Sequence, residues 1–175
     1  MKKTIQNIEI EVFQGDIANL PNVEAVVNAA NAQLTTGGGV AGAIHRAAGP
    51  KLYEECKPLA PIAPGEAVIT DAYNLPNKYV IHCLGTVYGK DKPENKLLEN
   101  CYKNVLKRAE EKKVKSVAFP AISTGAFGYP IKEATKISFN TILAEIPELK
   151  HLQKLKFVLF SEADLEIYET MLAEM

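Results

Sequence analysis

The stretch VEAVVN, residues 23–28, constrains the fold more than any other part of the chain. It is almost wholly apolar and too short for a helix, the pattern of a strand covered on both faces. A strand of that kind needs helices above and below its sheet, since a solvated face would demand strict alternation. The rest of the chain agrees. Strand-like runs occupy residues 8–13, 67–72, 79–85, 116–120 and 156–160. Helical spacing holds over 40–48, where Gly49-Pro50 stops it, and a short helix is expected over 51–57. From 94 to 112 the apolar positions Leu97, Leu98, Cys101, Tyr102, Val105, Leu106 and Ala109 share one face. A further helix is expected over 131–145, with Pro130 at its first turn. Ser161 with Asp164 has the form of a capping box, opening a last helix through Met171. Alternating strands and helices predict an α/β sandwich with helices on both faces, in one domain over 1–175.

The formal net charge of −1 means that no global field recruits nucleic acid or an anionic membrane. Any phosphate must therefore be held by local groups. Cys56, Cys83 and Cys101 show no paired spacing and leave one over, which argues against a disulfide framework or zinc site and for a reducing compartment. The start MKKTIQNIEIEVFQGD lacks an apolar leader core, and no run reaches membrane-spanning length. A cytoplasmic monomer is expected.

Between the strand at 23–28 and the helix at 40–48 the chain reads AANAQLTTGGGVAGA. Gly37, Gly39 and Gly42 match G-x-G-x-x-G in letters only, because a dinucleotide loop follows its strand at once and Asn28 lies well before Gly37. No Lys-Ser or Lys-Thr follows, which removes the phosphate-loop NTPases. The physics still favours an anion. Glycines feeding a helix present free N–H groups, and the helix dipole adds partial positive charge there. The arrangement recurs after SVAFP, where Ser123, Thr124, Gly125 and Ala126 precede the next helix. Two such loops at the carboxyl edge of a sheet would clamp a diphosphate without a lysine. For either loop alone, a tight strand–helix connection explains the glycines equally well.

Taken in order, VFQGDIANL, VVNAAN, GGGVAGAIHRAAG, YVIHCLG and PAISTGAFGYP resemble the macrodomain family, the ADP-ribose-binding fold. The resemblance covers nearly the whole chain. It is greatest to the MacroD-type branch, whose members remove ADP-ribose from acidic side chains and deacetylate O-acetyl-ADP-ribose, and the glycine loop is similar to that of viral macrodomains. It implies a three-layer α/β/α sandwich on a mixed central sheet, with ADP-ribose, O-acetyl-ADP-ribose and mono-ADP-ribosylated proteins as partners. It implies neither cofactor nor metal. Asp16 would accept a hydrogen bond from the adenine amino group with the Ile17 backbone alongside; its own sequence context also fits a helix N-cap. Phe160 would pack on the adenine, against the ordinary reading of a strand-end Phe as core. Asn31 would bond the distal ribose hydroxyls, its amide offering donor and acceptor to a diol. Asn28 stands among the ligand-binding positions, although at a strand end it also suits holding the loop through backbone bonds. Gly37, Gly38, Gly39, Val40 and Ala41, with Ser123, Thr124, Gly125 and Ala126, would wrap the diphosphate and distal ribose. Phe127 would cover that ribose.

His45, three residues past Gly42, is expected on the helix face toward the ligand, where it would assist chemistry or simply pack. His82 falls inside an apolar strand and reads as a satisfied core residue, and His151 carries no signal. Relatives of the MacroD type commonly carry GGGVDGAI, with the aspartate helping to place water; here the position is Ala41. A general base contributes about two to four orders of magnitude, so its loss favours either a substrate-assisted hydrolase, with Asn31, His45 and Phe127 at the reacting end, or a reader that binds without turnover. Single-stranded RNA binding finds no support, since there is no basic stripe and no Trp.

Overall fold

The computed structural model describes residues 1–175. Seven strands, β1 (Lys2–Ile5), β2 (Ile8–Gln14), β3 (Ala25–Ala30), β4 (Ala67–Asp71), β5 (Tyr79–Leu84), β6 (Ser116–Phe119) and β7 (Lys154–Leu159), form one sheet in the order β1-β2-β7-β6-β3-β5-β4. The five inner strands run parallel, and β1 and β4 close the two edges antiparallel. Five helices, α1 (Gly39–Ala48), α2 (Pro50–Cys56), α3 (Glu94–Glu111), α4 (Ile131–Glu145) and α5 (Glu162–Glu174), cover both faces. The sheet is therefore mixed, and the chain is a three-layer α/β/α sandwich.

The period of two along each strand divides the interior. Val27, Ile81, Cys83, Phe119 and Phe157 face α3, α4 and α5, and Val26, Val80, Ala118 and Val158 face α1 and α2. Ser161 Oγ accepts from the Asp164 N–H at 3.1 Å, so Ser161 is the N-cap of α5 and the N-cap half of the expected capping box forms. The edge strand β1 is the element that the sequence reading lacks. It returns onto β2 through Gln6 and Asn7, both in the left-handed region at φ 47° and 74°, as a tight hairpin turn requires.

The sheet is built to open at one place. β3 leads into α1 on one face, whereas the neighbouring β6 leads toward α4 on the other. Ligands bind where adjacent strands part in this way. The β3–β6 ladder holds in register only at Ala25↔Val117 and Val26↔Ala118, and beyond those residues the carboxyl ends separate.

Candidate functional site

Four adjacent strands, in the order β2-β7-β6-β3, deliver their carboxyl ends to one edge. They bring together Asp16 after β2, Phe160 after β7, the loop from Ala121 to Pro130 after β6, and the loop from Asn31 to Gly38 after β3. Distant stretches of sequence thus meet along one edge in a fixed order, and the space between them is the candidate groove.

At one end, Asp16 caps a 3₁₀ turn, Ile17–Asn19, with Oδ1 accepting from the Ala18 N–H at 2.9 Å. The carboxylate is exposed, so its second oxygen stays available, and the Ile17 side chain is buried beneath it. Phe160 is 93% exposed, which overturns its reading as core. Its carbonyl accepts from Gln14 Nε2 at 3.2 Å, tying the ends of β2 and β7 together.

The first loop is held by Asn31 and Leu34. Asn31 Oδ1 accepts from the Thr35 N–H at 3.0 Å, and its Nδ2 donates to Thr35 Oγ1 at 2.9 Å and to Thr35 O at 3.2 Å. Its amide therefore folds the loop, leaving one Oδ1 lone pair for any ligand. Leu34, left-handed at φ 57°, is fully buried under α1 and pins the loop. Gly37 and Gly39 stand at φ 59° and 55°, so the backbone itself requires glycine there.

Gly38 is different. Its φ of −110° suits any residue, and a Cβ added to it would meet nothing within 4 Å. It is the N-cap of α1 and offers no side chain, so the first N–H groups of that helix stay uncapped. Val40 is half-buried and Ala41 is buried on this first turn.

The second loop is braced from outside. Ser123, at φ 68° and buried, turns its hydroxyl away from the groove, and Oγ accepts from the Thr86 N–H at 2.9 Å. The side chain thus serves the loop itself, and any contact of Ser123 with a diphosphate falls to its backbone. Gly85 makes room for that hydroxyl, because a Cβ there would lie 2.2 Å from Ser123 Oγ. Thr124 Oγ1 donates to Ala121 O at 2.9 Å and is likewise committed to the loop. Gly125 and Ala126 are exposed, and Gly125, like Gly38, has neither a left-handed φ nor a neighbour within 4 Å of an added Cβ. Half-buried Phe127 packs with Val40 against the α1 side, and its carbonyl accepts from the Tyr88 N–H at 2.9 Å. Gly85 and Thr86 carried no signal of this role in the sequence.

Two expected site residues lie beneath the groove rather than in it. Asn28 is fully buried on the face shared by Val26 and Ala30, and its Nδ2 donates to His82 Nδ1 at 3.0 Å. Its side chain lies beneath the groove and makes no hydrogen bond to the loop backbone. His45 is 4% exposed, its ring 6.2 Å from that of His82, so it faces the sheet and not the groove. Neither of its ring nitrogens has a hydrogen-bond partner, and burial lowers its pKa below 6.5. Its proposed part in chemistry is withdrawn on this geometry. His82 is the satisfied core residue its strand suggested. With Nδ1 accepting from Asn28, its Nε2–H donates to Thr70 Oγ1 at 2.9 Å, and Thr70 in turn donates to Asp71 O. Burial, with nearby His45, brings the His82 pKa to about 3.

One atom each from His45, Cys56 and His82 lies within 4.8 Å of the others, a grouping the sequence spacing did not announce. Both His82 nitrogens are already hydrogen-bonded, and burial followed by the charge of Glu55 pushes the Cys56 thiol to about 11. His82 with Asn28, Thr70 and Cys56 reads as a packed polar network under α1, and His45 lies beside it without a hydrogen bond.

Comparison with known proteins agrees with this geometry. The Macro domain family matches residues 27–138. A macro domain-containing protein of Chlorobaculum tepidum is 46% identical over 95% of this chain and 97% of its own. The O-acetyl-ADP-ribose deacetylase of Klebsiella pneumoniae is 46% identical over 95% of this chain and 97% of its own. Among solved structures, the Oceanobacillus iheyensis macrodomain with ADP superposes with a TM-score of 0.94 at 40% identity, covering 99% of this chain and 95% of that one.

Proposed function

The chain belongs to the Macro domain family, and from that premise we propose that it binds ADP-ribose in the groove and hydrolyses mono-ADP-ribosyl esters, both O-acetyl-ADP-ribose and ADP-ribosylated Asp or Glu side chains. One observation carries the reading. Gly38 and Gly125, one in each loop, are glycines that neither φ nor packing requires, and Gly38 stands at the uncapped N-terminus of α1. Bare backbone with open space in front is what close approach of a diphosphate needs, and the helix dipole favours its charge. The relatives named O-acetyl-ADP-ribose deacetylase support the hydrolytic half.

On this reading the ligand follows the order of the strands. Adenine lies between Asp16 and Phe160, the diphosphate between the two glycine-containing loops, and the distal ribose against Phe127 with the free Oδ1 lone pair of Asn31. A water held by the ligand's own phosphate and the loop backbone attacks C1″. The water oxygen bonds that carbon, the carboxylate leaves with the C1″–O electrons, and the proton passes to the phosphate. Positioning of this kind supplies much of a rate acceleration without a side-chain base. It suits Ala41, which puts a methyl where relatives hold a carboxylate.

Incubation with a glutamate-linked mono-ADP-ribosylated protein tests the reading. Release of free ADP-ribose above the buffer rate is expected, and Ala41→Asp is expected to raise that rate. Tight binding with no release would instead identify a reader, the alternative that Ala41 favours.

A further inference from the structure

Resting on the reading above, a second cleft accounts for the part of the substrate that the groove leaves outside. A glycosyl ester has two halves, and the groove holds only the ADP-ribosyl half. The other half must leave past Phe127, at the distal end. There the β5–α3 segment joins the second loop, because the Tyr88 N–H donates to the carbonyl of Phe127 itself. Next to that bond opens a cleft of about 540 Å³, lined by Tyr88, Lys92, Glu94, Asn95, Tyr129 and Glu133.

The cleft has a floor, a wall and a charge. Tyr129 is buried, and Tyr88 leans on it with ring centroids 4.9 Å apart while remaining 43% exposed. An aromatic ring left open beside a buried one is a surface suited to contact with an apolar stem or a cation. The Glu94 carboxylate accepts from the Gly89 N–H at 3.0 Å, which fixes it at the rim. Glu94, Glu133 and Lys92 make no ion pair. Burial first, then the charges of Glu133 and Glu94, raises the Tyr129 phenol, so both carboxylates act on the floor of the cleft. Two carboxylates against one lysine leave the cleft acidic.

We propose that this cleft receives the polypeptide flanking an ADP-ribosylated side chain, and that it favours a Lys or Arg next to the modified residue. The occupant is fixed by continuity, since the cleft shares a hydrogen bond with the residue that covers the distal ribose, and by charge. Tyr88 and Glu133 would bind the protein half of the substrate and take no part in holding ADP-ribose.

Calorimetric titration with two ligands tests this without relying on turnover. One is free ADP-ribose; the other is a Lys-flanked peptide carrying ADP-ribose through a non-hydrolysable link. The peptide conjugate is expected to bind about fivefold more tightly than free ADP-ribose. Tyr88→Ala and Glu133→Lys should each erase that difference and leave the affinity for free ADP-ribose unchanged, which also reports that the variants are folded. Equal affinity of the intact protein for the two ligands overturns the inference, as does an equal loss for both ligands in the variants. No binding of free ADP-ribose would strike the proposed function itself, and the inference with it.

Discussion

The two loops that form the groove reach the same open backbone by opposite means. The loop after β3 is local. Gly37 and Gly39 take the left-handed φ that favours glycine, Leu34 anchors it, and Asn31 closes it onto Thr35, four residues away. The loop after β6 is held by its neighbours. Ser123 is kept at φ 68° by a hydrogen bond from Thr86 and by space left at Gly85, and the Phe127 carbonyl is tied to the backbone N–H of Tyr88, a bond independent of that residue's side chain. A left-handed non-glycine residue costs of order 1 kcal/mol or more and persists only where its surroundings over-determine it. The comparison teaches that one half of the groove is written in its own residues and the other in a distant segment.

Acid separates the two halves most strongly. Beneath the first loop lie His45 and His82; burial lowers the pKa of both, and that of His82 falls to about 3 from an ordinary 6.5. Below pH 6.5 the unfolded chain takes up protons that the folded chain refuses, so stability falls as pH drops toward 3. His82 contributes a slope of about 1.4 kcal/mol per pH unit while it stays neutral in the fold. Urea midpoints at pH 7 and pH 5 should differ accordingly, and a flat profile would contradict the buried pair.

Next in size is Gly85→Ala, which sets a Cβ 2.2 Å from Ser123 Oγ. Overpacking of that kind costs about 3 kcal/mol at its upper end. Urea unfolding should show that loss, and ADP-ribose affinity should fall with it although Gly85 lies outside both loops. Retained affinity would mean that the brace is dispensable. Gly38→Glu and Gly125→Glu make the converse test. Nothing crowds either position, so stability should move by less than about 0.5 kcal/mol. A carboxylate facing the diphosphate should weaken ADP-ribose about tenfold or more, or about 1.4 kcal/mol, in both loops alike. An effect at Gly38 alone would leave the second loop without a ligand.

The smallest effects distinguish the ends of the groove. Asp16→Ala removes an N-cap, costing about 1 kcal/mol of stability, and should chiefly raise the dissociation constant. Asn31→Ala removes the bonds to Thr35 and should lower turnover more than affinity. Equal losses of both quantities in either variant, read from single-turnover kinetics and calorimetry, would remove that division of roles.

The same contrast explains how far the sequence could be read. Continuous apolar runs and helical spacing located six of the seven strands and all five helices, because burial on both faces leaves a compositional trace. β1 escaped because its turn depends on left-handed Gln6 and Asn7, which carry no glycine to mark it. The glycine loop was legible for the opposite reason. Asn28 and His45 carry binding chemistry at positions that the period of their elements buries. Asn28 is two residues from both Val26 and Ala30 on the strand, and His45 falls on the buried stripe of Ala41, Ile44 and Ala48. Periodicity alone would have put both inside. Ser123 had no such signal, since its side-chain direction is set by Gly85 and Thr86, far away in the chain.

The central claim is that the two loops grip one pyrophosphate together, and titration of nitrogen-labelled protein with ADP-ribose, followed at each backbone amide, tests it most directly. The account predicts that the amides from Gly38 to Ala41 and from Thr124 to Phe127 shift along a single binding curve. Shifts confined to one loop, or a groove that stays silent while ADP-ribose binds elsewhere, would contradict it.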